Sequence, residues 1–512
     1  METSNAQLIK VLSQFNPWWR GEAIPDLVTW YRASFSELFT WVYNPPAPRA
    51  VLLSGARQVG KTTLLLQLVD KLLKTGIPSA NILYATFDHP IIKMAGIDVV
   101  INAWREREPK VPGPEYLLLD EAQSINDVGT WVKHNVDFDK NRRIVFTGSA
   151  MPLIHSEQES GVGRWHTIRL TTLSFYEYLK LKEFKNINIK SFFDKMMSTN
   201  LQELSEWDTA RVSNFLALPK LPTLKSLREL FNWPQQEFYR VGELAVSYVG
   251  HFHEYLVRGG FPQTAQVESI THAQRLLRED IIDKVLKRDM TALFGVRRVL
   301  DLEQTFLYLC MHDGGLLDMS ELCENLEVKR PTAQHFIELF EASHLIYRLQ
   351  PFGYGKDILR GKYKIYLADA AIAPAVLLKG KSILDSAEAL GVATETAVFK
   401  HLFARYYSQD VQFSYWRGIK NHEVDLIAEV GNRLIPFEVK YRAHHAGTRE
   451  LKGLLELCQK KSIEYAYVIT KSLEDFGMLD THLPNTKIMR IPAPLLCYWM
   501  GESELSQINS LD

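Results

Sequence analysis

VLLSGARQVGKTTLLL, residues Val51 to Leu66, joins an apolar run to a glycine-rich loop and then to apolar residues at helical spacing. That strand, loop and helix context is the one a phosphate-binding loop requires. Gly55 and Gly60 let the backbone wrap close around a polyphosphate. The amides of Ala56, Arg57, Gln58 and Val59, with the start of the helix, then face its negative charge. Lys61 is placed for the β and γ phosphates and the Thr62 hydroxyl for Mg²⁺, with Thr63 in the same turn. The expected ligands are a nucleoside triphosphate and Mg²⁺. ATP is favoured over GTP because no NKxD guanine motif follows the third strand.

Strand and helix alternate around this loop. Ile82–Phe87, Tyr116–Leu119 and Ile144–Thr147 read as further buried strands, and Lys61–Lys74 as a helix, which predicts a parallel, doubly wound α/β sheet covered by helices. In YLLLDEAQ, Tyr116 to Gln123, three leucines precede Asp120 and Glu121 at the carboxyl end of a strand, where ligands bind in open α/β sheets. Asp120 is placed to hold Mg²⁺ through water, and Glu121 to polarise an attacking water. Thr147 or Ser149, at the tip of the third of these strands, is either a γ-phosphate sensor or an ordinary turn residue. Arg164 and Arg169 are candidates for a phosphate contact in cis or in a neighbouring subunit, with a structural ion pair as the alternative.

A chain of 512 residues suggests roughly three domains of about 150 residues. Net charge is -1, so any nucleic-acid binding must come from local patches. The four cysteines are widely spaced with no CxxC pair, which argues against a zinc site and fits reduced thiols. No apolar run has the length of a signal peptide core or a membrane span, so a cytoplasmic protein without a membrane partner is expected.

Read in order, GARQVGKT, LDEAQ, FTGSA, GR, LSFYEYL and RGGFP resemble the prokaryotic AAA-type ATPases that carry a C-terminal winged helix and restriction-endonuclease-like region. The resemblance runs from about residue 15 to 470 and implies ATP use more firmly than any pathway. The domain plan is a helical leader at 1–48, a P-loop ATPase core at 49–180, a helical insertion and lid at 181–300, a winged helix at 301–380 and a nuclease-like domain at 385–500. The leader aromatics, Trp18, Trp19, Trp30, Tyr31 and Trp41, read as core packing. Residues 186–237 match no motif.

In the fourth segment, two short helices meet at Glu327-Val328-Lys329-Arg330, and Leu345–Leu349 can begin a wing strand. A DNA reader of this kind would present Lys329, Arg330, Thr332 and Gln334 to the major groove. Phosphates would meet Arg348, Lys356, Arg360 and Lys362. The later His335, Glu338 and Glu341 are not basic, and winged helices also serve as packing units, so the two roles stay open.

The last segment holds HEVDLIAEVGNRLIPFEVK, His422 to Lys440, read as two strands joined by a turn at Gly431-Asn432. A symmetric turn sets Asp425 opposite Glu438 and Glu423 opposite Lys440, with Glu438 and Lys440 on one face. Glu395, on a helix whose apolar face includes Val398, Leu402 and Tyr406, falls within reach. Asp425, Glu438 and Lys440 resemble the PD-(D/E)XK nuclease motif, with Val424 where the proline stands. Mg²⁺ held by Asp425, Glu438 and Glu395, beside Lys440, would suit phosphodiester hydrolysis. A cross-strand salt-bridge ladder would use similar residues.

Two functions follow from these residues. One is a Mg²⁺-dependent ATPase that couples nucleotide state to DNA or RNA binding or processing, with assembly into oligomers open. The other is an ATP-switched scaffold whose nuclease-like module binds without cutting.

Overall fold

The computed structural model describes residues 5–125, 128–149, 163–186, 218–353, 361–407, 409, 411–418, 422–442 and 447–509. Most of the unmatched 186–237 stretch, and Lys356 and Arg360, lie outside them.

The first sheet is built from β1 (Ala50–Ser54), β2 (Ile82–Thr86), β3 (Glu115–Asp120), β4 (Arg142–Gly148) and β5 (Trp165–Arg169), in the order β2-β3-β4-β1-β5. All its pairings are parallel. Strands β1 and β3 are buried along their whole length because helices cover both faces. The sequence foretold four of the five. β5, WHTIR, is half-buried and polar at the sheet edge, so it lacks the apolar run that marks a strand in sequence.

The leader closes the other edge. After helix α1 (Asn5–Phe15), the Asn16 side chain bonds both the N–H and the C=O of Tyr84 at 2.8 Å, and the indoles of Trp18 and Trp19 donate to Ile82 O at 3.2 and 3.0 Å. These side chains pair the outer backbone groups of β2, which would otherwise form an open edge. Helix α2 (Ser34–Tyr43) packs over the sheet, and α3 (Lys61–Lys74) leaves the loop after β1 with the bounds read from the sequence.

Helix α4 (Phe175–Asn186) follows the first sheet, and the long α5 (Gln235–Arg258) ends at the RGGFP segment. Residues 277–283 and 285–289, expected as ordinary helix, wind as π-helix. Three helices, α6 (Val299–Met311), α7 (Met319–Leu326) and α8 (Arg330–Ala342), precede a hairpin of β6 (Ile346–Pro351) and β7 (Lys364–Leu367).

That hairpin does not end a separate unit. β6 pairs in parallel with β8 (Val411–Arg417), so one eight-stranded sheet runs across the expected 380/385 boundary, in the order β12-β13-β11-β10-β9-β8-β6-β7. Its other strands are β9 (Glu423–Val430), β10 (Arg433–Lys440), β11 (Tyr465–Thr470), β12 (Gly477–Leu479) and β13 (Lys487–Pro492). Helices α9 (Ala387–Tyr406), α10 (Lys452–Lys461) and α11 (Ala493–Asn509) pack on it. Packing is equally continuous on the amino side: the first sheet, α6–α8 and β7 share a single apolar cluster from Leu8 to Ala375.

The segments converge on a buried junction around Asp369. Its carboxylate accepts from Thr172 Oγ1 at 2.7 Å, Gly260 N at 2.9 Å and Ala371 N at 3.1 Å, with the buried Lys400 ammonium at 3.5 Å. Lys400 also donates to Leu173 O at 2.6 Å, and His401 Nε2 accepts from Phe175 N at 2.7 Å. Gly260 is demanded by space here: a Cβ would stand 2.4 Å from Leu173 O and 2.9 Å from Leu173 N. Gly260→Ala is therefore expected to cost about 1–3 kcal/mol. Gly250→Ala, on an open face of α5 with nothing within 4 Å, should stabilise by about 0.5–1 kcal/mol. Scanning calorimetry of both variants checks the contrast, and equal thermal midpoints would refute it.

Candidate functional site

The loop leaves β1 between β4 and β5, and its geometry explains its glycines. A Cβ at Gly55 would lie 2.3 Å from Leu170 O, and Gly60 has a φ of +101°. Gln58 also takes a left-handed backbone, φ 59°. The Lys61 ammonium, 4% exposed, donates to Gly55 O and Ala56 O at 2.9 Å each. Burial lowers its pKa, while Glu121 and Asp120 act to raise it.

Asp120 stands two strands away, at the end of β3. Strand spacing of roughly 4.8 Å puts about 10 Å between β1 and β3. The first turn of α3 spans that gap: Thr62 Oγ1 donates to Asp120 Oδ2 at 2.8 Å. Tyr84 from β2 donates to the same oxygen at 2.9 Å, and Thr147 at the tip of β4 donates to Oδ1. Burial raises the Asp120 pKa, against the lowering by its three hydroxyl donors.

Glu121 has a left-handed backbone, φ 54°. Its N–H is held by Thr147 Oγ1 at 2.9 Å, and its carboxylate accepts from Gln123 Nε2, which also reaches Ser149 Oγ at 3.2 Å. Thr147 thus aligns both acidic residues, and Ser149 belongs to the same chain of bonds. Thr62 and Asp120 offer adjacent hard oxygens, a donor pair that fits Mg²⁺.

Arg164 is not part of this arrangement in its own chain. Its C=O bonds Ala50 N at 2.8 Å at the start of β1, while the loop leaves the other end of that strand. Its guanidinium pairs with Asp137 at 3.1 Å. Arg169, by contrast, lies beside Ser54 at the loop end of β1.

Four braces of the loop carry no signal in the sequence. Arg32, in the leader, donates to Val59 O at 2.9 Å and to Thr171 O at 3.0 Å, and forms a two-pronged pair with Glu177 at 3.0 and 2.8 Å. Arg57 turns away from the loop to Asp289 in the π-helical stretch, with Nη2 to Oδ1 at 2.9 Å. Pro262 of RGGFP lies 3.9 Å from where a Gly60 Cβ would stand. His344, φ 58°, lies 2.7 Å by Nε2 from Ser54 Oγ. All four partners are remote in sequence, so spacing gives no hint of them.

The second cluster lies across β7, α9, β9 and β10. The hairpin register is the one read from the turn: Phe437 faces Leu426, and Arg433 faces Val430. Asp425 and Glu438 meet, with Asp425 N donating to Glu438 Oε2 at 3.4 Å and Val439 N to Asp425 Oδ2 at 2.8 Å. Lys440 donates to Glu438 Oε1. Glu395 joins the cluster through a residue that sequence reading missed: Lys364 of β7 lies 2.9 Å from Glu395 Oε1, 2.9 Å from Glu423 Oε1 and 3.1 Å from Asp425 Oδ1. Glu423, expected opposite Lys440, is thus bound to Lys364. Burial, then the neighbouring Asp425, pushes the Glu438 carboxyl up to about 8. Against its burial, Lys364 and Lys440 hold Asp425 below its ordinary range.

On the proposed DNA face, Lys329, Arg330 and Gln334 are exposed and Thr332 is half-buried at the start of α8. Arg348 is bound to Glu341 at 2.7 Å and Lys362 to Asp318. No helix among the described residues is long and apolar enough to cross a membrane.

Residues 47–179 match the family model of the AAA domain, so this stretch is similar to an AAA-type P-loop domain. Residues 249–382 and 390–493 match two domains of unknown function, DUF8612 and DUF4143. An uncharacterized protein of Haemophilus influenzae is 26% identical over 423 residues, 79% of this chain and 86% of that one. One of Methanocaldococcus jannaschii is 23% identical over 342 residues, 65% of this chain and 64% of the relative. Among solved structures, Aeropyrum pernix Orc1 in complex with DNA is similar at 12% identity over 70% of this chain and 95% of its own, with a TM-score of 0.28. AMPPCP-bound DnaA from Aquifex aeolicus is similar at 15% over 63% and 90%, with a TM-score of 0.22.

The His344 contact has a pH signature. Burial pushes its imidazole down to about 3 from an ordinary 6.5, and Arg169 and Lys61 act in the same direction. The unfolded chain takes up a proton below 6.5 that the folded chain refuses until about 3, so this contribution is full above 6.5 and is lost as pH falls through that window. Asn tolerates the left-handed backbone. Relative to His344→Asn, the parent chain should therefore lose up to about 1.4 kcal/mol per pH unit below 6.5. Urea unfolding at pH 7.0 and 5.5 measures it, and an unchanged difference between the two pH values would refute it.

Proposed function

We propose that the protein is a Mg²⁺-dependent ATPase that couples ATP binding and hydrolysis to nucleic-acid binding or processing through its C-terminal half. The observation that carries this reading is the convergence of Lys61, Thr62, Asp120 and Glu121 at the carboxyl end of one parallel sheet. Thr62 and Asp120 would hold Mg²⁺, which neutralises phosphate charge when bound with the nucleotide. Lys61 would exchange its loop carbonyls for β- and γ-phosphate oxygens. Glu121, steadied by Gln123, would polarise the attacking water, and Thr147 keeps both carboxylates in register.

Coupling has a physical route, because the loop and its neighbours touch the downstream segments directly. Arg57 holds Asp289, Ser54 meets His344, and Pro262 flanks Gly60. A change in the loop therefore biases α6–α8 and the second sheet without an intervening linker. Three helices followed by a hairpin support the winged-helix reading of 301–380. The Asp425, Glu438 and Lys440 constellation supports the nuclease-like reading of 385–500. The exposed Lys329, Arg330 and Gln334 are the best-placed DNA contacts.

The second reading, an ATP-switched scaffold with a nuclease-like module that binds without cutting, is favoured by one observation: Lys364 within the carboxylate cluster.

Lys61→Ala is expected to lower ATP turnover at least ~100-fold. Glu121→Gln should keep ATP binding and lose hydrolysis. Phosphate release and a fluorescent-ATP titration on the same samples check both, and turnover at the parental rate in Glu121→Gln would remove that residue from its role. Incubation with supercoiled, linear and single-stranded DNA, with Mg²⁺ and with or without ATP, separates the two readings. Cleavage abolished in Asp425→Ala selects processing, while a nucleotide-dependent gel shift on intact DNA selects the scaffold.

A further inference from the structure

Lys364 enters the C-terminal cluster from β7, outside the hairpin that carries Asp425, Glu438 and Lys440. Its side chain is 2% exposed. An ammonium has three N–H donors. Here three carboxylates face it, from Glu395 on α9 and from Glu423 and Asp425 on β9, at 2.9, 2.9 and 3.1 Å. The ammonium donates to Glu423 and Asp425 and is ion-paired with Glu395, so its charge is neutralised within the cluster.

The carboxylates are also committed elsewhere. Asp425 Oδ2 takes the Val439 N–H at 2.8 Å, Glu395 Oε1 takes the Tyr366 hydroxyl at 2.8 Å, and Glu438 is held by Lys440. Mg²⁺ gathers oxygens at about 2.0–2.1 Å and Ca²⁺ at about 2.3–2.6 Å. The spacing around Lys364 is that of an ammonium. A dication added beside it would meet a buried positive charge at close range. Among the described residues, no three His, Cys, Asp or Glu side chains converge in a way that could hold a metal ion.

We propose that Lys364 is the resident cation of this cluster: its ammonium takes the place a divalent metal would hold, ties β7 to α9 and β9, and leaves the chain without a metal site there. The inference rests on the nuclease-like reading of the C-terminal unit and chooses the form of it that does not cut by metal-assisted hydrolysis. A consequence follows for the variant that removes the lysine. With Lys364→Ala, Glu395, Glu423 and Asp425 lose their counter-charge, and once their side chains close the gap that the ammonium holds open, a divalent ion becomes the group that can neutralise them.

The test is Mn²⁺ titration of the nucleotide-free full chain, followed by electron paramagnetic resonance and by thermal unfolding. The parent and Asp425→Asn should bind Mn²⁺ equally up to millimolar concentration. Lys364→Ala should gain a Mn²⁺ site, and its lowered thermal midpoint should rise by several degrees as Mn²⁺ is added. Both gains should vanish in Lys364→Ala/Asp425→Asn. Mn²⁺ bound by the parent and lost in Asp425→Asn would overturn the proposal. So would a folded Lys364→Ala that gains neither binding nor thermal protection. If Lys364→Ala does not fold, the comparison of the parent with Asp425→Asn decides the matter alone. Fluorescent-ATP binding on the same samples reports on the loop around Lys61, so failure of the nucleotide reading shows there and leaves the Mn²⁺ result to stand separately.

Discussion

The buried carboxylate of Asp369 is the contact on which the rest of the architecture depends. It receives Thr172 from the exit of the first sheet, the Gly260 amide from the RGGFP turn and the Ala371 amide of its own segment, with the Lys400 ammonium of α9 close by. Four stretches far apart in sequence thus share one charged centre in a dry interior. Removing either partner of such a buried pair leaves an uncompensated charge, a cost of about 3–5 kcal/mol. Gly259 and Gly260 are part of the same constraint, since a Cβ at Gly259 would fall 2.7 Å from Asp369 Oδ1.

That junction sits between the two carboxylate-bearing sites. On one side, Pro262, the last residue of RGGFP, lies at the flank of Gly60, and His344 closes on Ser54. On the other, β7 runs from Lys364 in the second cluster to Leu367, just before Asp369, while α9 presents Glu395 to that cluster and Lys400 to the junction. The strand leads directly into the junction, and the helix has one residue in the junction and another in the cluster. Rigid elements of this kind pass displacement along their length, because close-packed interiors shift as units.

The arrangement of side chains at the carboxyl end of the first sheet was legible in the sequence to the level of individual residues. Lys61, Thr62, Asp120, Glu121 and Thr147 all lie where the strand, loop and helix pattern puts them, because each is fixed by its position at the carboxyl end of a strand or the start of a helix. The Asp425 and Glu438 meeting was legible too, since a two-residue turn sets the register of the whole hairpin. Arg164 stood open in the sequence between a phosphate contact and a structural ion pair, and it pairs with Asp137. Its place in the motif order said nothing of which end of β1 it would occupy, and the parallel pairing of β5 with β1 puts it at the end away from the loop.

Local order therefore came from the sequence alone: the parallel sheet, the phosphate loop, its acidic partners and the turn that pairs β9 with β10. These rest on periodicity and short-range spacing, which a single chain displays openly. The tertiary structure alone decided the rest. It set Arg32 and His344 against the loop, ran one sheet across an expected domain border and brought Lys364 to three carboxylates. The physical reason is distance along the chain. A buried charge is placed by the groups that must neutralise it, and those groups come from elements that meet only once the core has closed.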